Sequence, residues 1–71
     1  MRQSRLEAAK IIARILGDTV SRCEKPLRAG NEAGLSTSYM VESVRLAYGN
    51  KGTKRQRGIA RAILRELGET E

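Results

Sequence analysis

Three times along this chain a hydroxyl residue opens, and a glycine closes, a run of aliphatic side chains spaced three and four apart. The runs lie between Ser4 and Gly17, Ser36 and Gly49, and Thr53 and Gly68. Side chains at that spacing share one face of an α-helix. A serine or threonine ahead of the run accepts a backbone N–H of the first turn, and a glycine behind it takes the left-handed turn that ends a helix. No stretch alternates apolar and polar residues as a half-buried strand does. The expected fold is all-α: one small domain over residues 1–71, a compact bundle of four to five short helices.

The first helix is expected from Ser4 to Leu16. Ser4 and Glu7 form the pattern S-x-x-E of a capping box. Leu6, Ala9, Ile12, Ala13 and Leu16 fall on one face, and Ala8, Ile11 and Ile15 widen it. That apolar arc exceeds half the circumference, which is broader than the stripe of an ordinary surface helix. The helix is therefore expected to be covered on two sides, by its own core and by a second copy, with Ile11 and Ile15 in the interface of a homodimer.

Asp18 or Thr19 can cap a second helix through Lys25, with Val20 and Cys23 turned inward. Proline lacks an N–H and is best tolerated in the first turn, so a break is expected near Lys25 and a short helix over residues 26–33. The helix after Ser36 is expected to bury Met40, Val44, Ala47 and Tyr48, with Val41 at the margin. Residues 49–53, GNKGT, read as a loop. Thr53 and Gln56 form a second capping box, T-x-x-Q, for a last helix ending at Leu67.

Composition removes whole classes of chemistry. The chain has no His, so His ligands, His bases and the His-dependent triads are absent. Cys23 is the single cysteine; no internal disulfide or cysteine-based zinc site can form. It reads as a small core residue, and the natural setting is a reducing cytoplasm. No apolar run approaches the ~20 residues that span a bilayer. Neither catalysis nor a cofactor is expected.

Charge is what remains. The formal net charge is +6. Residues 51–65 hold Lys51, Lys54, Arg55, Arg57, Arg61 and Arg65 without a single acid. On a helix, Lys54, Arg57, Arg61 and Arg65 cluster within roughly 80°, opposite Ile59, Ala60, Ile63 and Leu67. Such a helix docks by its aliphatic side and presents a row of cations, which suits a phosphate backbone. Single-stranded targets are usually stacked on aromatic side chains, and this chain has only Tyr39 and Tyr48. Duplex DNA or a structured RNA backbone fits better. A membrane surface fits poorly, since there is no Trp or Phe to insert.

Residues 26–49, PLRAGNEAGLSTSYMVESVRLAYG, resemble the helix-turn-helix of bacterial and phage repressors. Ala33-Gly34-Leu35-Ser36 matches the family's turn: a glycine for the left-handed position, an aliphatic plug and an N-cap. Gly30 stands where the family has a small residue at the helix crossing. The resemblance implies a transcriptional regulator that works by occupying an operator, with its second helix in the major groove. It places Ser36, Thr37, Ser38, Glu42 and Arg45 toward the groove. Arg45 and the hydroxyls of Thr37 and Ser38 would then read bases while Lys51, Lys54, Arg55, Arg57, Arg61 and Arg65 hold phosphates. The alternative is a small helical adaptor or inhibitor, of the kind phages use, that binds an acidic protein surface.

Overall fold

A computed structural model of the chain describes residues 4–69 and contains four helices. Helix α1 (Arg5–Leu16) begins where Ser4, in extended conformation, accepts the N–H of Glu7 at 3.1 Å. The other half of the box differs from expectation. The Ser4 hydroxyl donates to the Glu7 carboxylate at 3.2 Å. Gly17 closes the helix at φ 70°, and both its N–H and that of Asp18 reach the Ala13 carbonyl. Ala8, Ala9, Ile12 and Ala13 are buried, whereas Leu6 is half exposed. Alanines on the inner arc let two neighbouring helices come close, and the bulkier Leu6 is left at the edge.

Helix α2 (Val20–Glu32) is capped by Thr19, whose hydroxyl accepts the Arg22 N–H, and Asp18 in turn accepts the N–H of Thr19 at 2.7 Å. It runs unbroken through Pro26, which corrects the expected break near Lys25 and leaves four helices, within the four to five expected. A proline inside a helix removes one backbone bond and crowds the carbonyl four residues back, at about 3 kcal/mol. The helix persists because Cys23, Pro26 and Leu27 lie on one buried stripe. Ending it at Lys25 would turn half of that stripe out of the core. Pro26→Ala restores the bond but gives up roughly two buried methylenes, about 1.6 kcal/mol, and loosens the unfolded chain by about 0.4–1 kcal/mol. Urea unfolding should therefore find the variant unchanged or up to about 1 kcal/mol more stable. A clear loss would mean that the ring's packing outweighs the missing bond.

Helix α3 (Thr37–Tyr48) buries Met40, Val41, Ser43 and Val44. The Ser43 hydroxyl is accommodated by donating to the Tyr39 carbonyl one turn back, at 2.7 Å. Two assignments change here. Val41 belongs to the core, and Tyr48, expected inside, is 69% exposed. The two share nearly the same azimuth, but Tyr48 is the last residue of its helix, beyond the neighbours that cover Val41.

Helix α4 (Lys54–Glu69) starts from a complete capping box. Gln56 N–H donates to the Thr53 hydroxyl at 3.1 Å, and Thr53 N–H donates to the Gln56 side-chain oxygen at 2.9 Å. It continues past Leu67, through Gly68. Ala60, Ile63 and Leu67 face the core and Ile59 packs at its edge. Arg22 reaches across from α2, donating to the Leu67 carbonyl while Asp18 holds its other nitrogen at 3.4 Å. A cation at that end is favourable for the helix dipole. Helices α2 and α3 lie between α1 and α4, which make no close backbone approach among the described residues.

Candidate nucleic-acid interface

The turn between α2 and α3 is built from its backbone outward. Gly34 adopts φ 95°, where a side chain would be strained. Its N–H donates to the Asn31 carbonyl and that of Leu35 to the Gly30 carbonyl, at 3.0 and 2.9 Å. Leu35 packs against the core, and Ser36 caps α3 by accepting the Tyr39 N–H at 3.1 Å. A Cβ on Gly30 would come within 2.2 Å of the Met40 sulfur, so a side chain there would make the flexible end of Met40 move where the two helices meet.

Asn31 braces this corner, a role the sequence reading did not assign. Its amide nitrogen donates to the Leu35 carbonyl at 2.9 Å and to the Thr37 hydroxyl at 3.1 Å, and its oxygen accepts from Arg5 Nε at 3.1 Å. An Asn three residues before a turn glycine, facing a Thr three residues after it, was the only available signal. The expected hydroxyl set therefore divides. The Ser36 oxygen serves the cap and the half-buried Thr37 hydroxyl serves Asn31. Ser38, Glu42 and Arg45 are exposed, and their spacing places them on one outward face of α3.

The loop after α3 folds back on it. Gly49 and Lys51 both donate to the Leu46 carbonyl, at 3.1 and 2.8 Å. Asn50 and Gly52 take positive φ, 60° and 96°. At the start of α4 the capping box already takes up the Gln56 N–H, and the Thr53 carbonyl accepts that of Arg57. An anion there finds fewer backbone donors than a bare helix end offers.

Lys51, Lys54, Arg55, Arg57, Arg61 and Arg65 are all exposed. Lys54, Arg57, Arg61 and Arg65 line the side of α4 away from buried Ala60, Ile63 and Leu67. Arg55 points elsewhere: its guanidinium lies 5.5 Å from the centre of the Tyr39 ring, a cation–π contact that joins the first turns of α3 and α4. Between α1 and α3, Ile11 and Ile15 are half-buried and line a groove with Lys10, Arg14 and Arg45.

Cys23 is fully buried, and burial together with nearby Asp18 pushes its thiol pKa up, so it stays a protonated core side chain. Among the described residues no three His, Cys, Asp or Glu side chains gather as a metal site would require. No helix there is long and apolar enough to cross a membrane. No family model, curated protein or solved structure matches the chain.

Proposed function

We propose that this chain is a small duplex-DNA-binding protein that acts by occupancy, as a regulator bound at its site, without chemistry of its own. The observation that carries the reading is the partition of α4. Three of its side chains are locked into the core, and Lys54, Arg57, Arg61 and Arg65 stand exposed on the other side. A helix anchored that way offers its cations as a fixed row rather than as a mobile tail. Lys51 and Arg55 extend the positive surface toward the loop and the first turn of α3. Base reading falls to the outward face of α3, to Ser38 and Arg45. Thr37 acts from behind, through Asn31, by holding the helix at its angle. Glu42 sits between Ser38 and Arg45 and repels phosphate, so it suits a position over a base edge, accepting from cytosine N4.

A salt titration of binding to random-sequence duplex tests the reading. With five of these six cations on phosphates at ~0.9 each, log affinity should fall against log salt with a slope of about −4 to −5 per chain. Structured double-stranded RNA, run beside it, separates the two duplex targets. Arg45→Ala should leave folding within about 0.5 kcal/mol of the parent chain. At a selected site it should cost ~1–3 kcal/mol and relax the choice of one base pair, with little change on random DNA. No duplex binding at ~50 mM salt would reject the assignment.

A further inference from the structure

We infer that the groove between α1 and α3 is a docking site for an acidic amphipathic helix of another protein. Ile11 and Ile15 lie one helical turn apart along α1 and line a groove of about 340 Å³. Lys10 and Arg14 stand beside them on the same helix, and Arg45 closes the far side from α3. The two isoleucines are only half-buried, because α1 spends Ala8, Ala9, Ile12 and Ala13 on its own core. The acids at helical spacing are Glu7 and Glu42, each three residues before a rim cation; both are exposed, and neither forms an ion pair with the rim.

This combination selects its occupant by charge. A second copy seated two-fold on the groove would gather both sets of Lys10, Arg14 and Arg45, six cations, into one interface, because a two-fold interface uses the same patch on both chains. Like charges at close range oppose that arrangement. A phosphate backbone would satisfy the cations but leave both isoleucines in water. A helix with aliphatic residues at positions i, i+3, i+4 and i+7 and carboxylates along its flanks matches floor and rim together. A groove of this size belongs with small, transient interfaces, and its electrostatics should act on partner choice and association rate. Nothing in the argument requires that the chain bind DNA.

The probe is a synthetic 14-residue peptide with four leucines on one helical face and glutamates beside them. A second peptide of identical composition has the leucines scattered around the helix. Amide chemical shifts of the full chain are followed during titration. The ordered peptide should perturb residues 10–15 and 45 and bind at least about tenfold more tightly than the scattered one. Arg14→Glu, at an exposed position that leaves far-ultraviolet circular dichroism unchanged, should weaken it about tenfold, and Arg57→Glu on α4 should not. Equal binding of the two peptides, shifts centred on α4, or no response to Arg14→Glu would overturn the assignment. So would sedimentation showing a dimer of the chain that Arg14→Glu alters, since the groove would then hold a second copy.

Discussion

Ile12→Ala is expected to lower the thermal midpoint by roughly 10–40 °C. The side chain is completely buried and among the largest in the core. Truncating such an isoleucine costs about 2–5 kcal/mol, and 1 kcal/mol moves the midpoint of a domain this size by about 4–8 °C. Its fellow buried residues on α1 are Ala8, Ala9 and Ala13, too short to collapse into the space left behind. A domain of this length has a total stability of about 4–10 kcal/mol, so the substitution removes a large share of it. Tyr48→Ala provides the contrast. It removes a larger side chain, but one that is 69% exposed, and the change should stay within about 0.5 kcal/mol. Urea unfolding followed by far-ultraviolet circular dichroism measures both. Comparable losses from the two would place Tyr48 in the core and contradict the packing described for the end of α3.

On the proposed reading, reversing two charges on α4 should strongly weaken duplex binding without touching the fold. Arg57→Glu with Arg61→Glu takes the formal net charge from +6 to +2. Both side chains are exposed on the side of α4 away from Ala60, Ile63 and Leu67, so unfolding should shift by no more than about 0.5 kcal/mol. Two contacts are lost and two repulsions are added. At roughly 0.7–1 kcal/mol each, the four terms weaken binding by about a hundredfold to a thousandfold near 0.1 M salt. The salt slope should fall by about two. Arg57→Lys with Arg61→Lys keeps the charges and should keep most of the affinity, because a phosphate row is read by position more than by geometry. An affinity indifferent to the Glu pair would move the DNA-binding surface off α4 altogether.

Much of the architecture lay in local chemistry. The caps at Ser36 and Thr53 and the left-handed Gly17 and Gly34 depend on residues within a turn of one another, and such interactions are readable along the chain. So is the division of α4 into a buried and a cationic side, because a single helix carries both halves of the pattern. The same logic recovered Cys23 as a core residue: its inward position follows from its spacing to Val20.

Pro26 shows where local rules stop. Considered alone, it favours a break; considered with Cys23 and Leu27, it is the middle of a buried stripe that a break would split, and the packing of α2 against its neighbours decides the outcome. Tyr48 fails for a related reason. Periodicity assigns an azimuth but not the length over which a neighbouring helix covers it. The corner at Asn31 and the tie from Arg22 to the Leu67 carbonyl join residues 6 and 45 positions apart, and the longer one has no trace in any local window. Caps and charge partition were thus set by residues close in sequence. Which half of each apolar face meets protein, and which is left to form a groove, was decided by how the four helices pack, since burial depends on neighbours that the chain brings together only when folded.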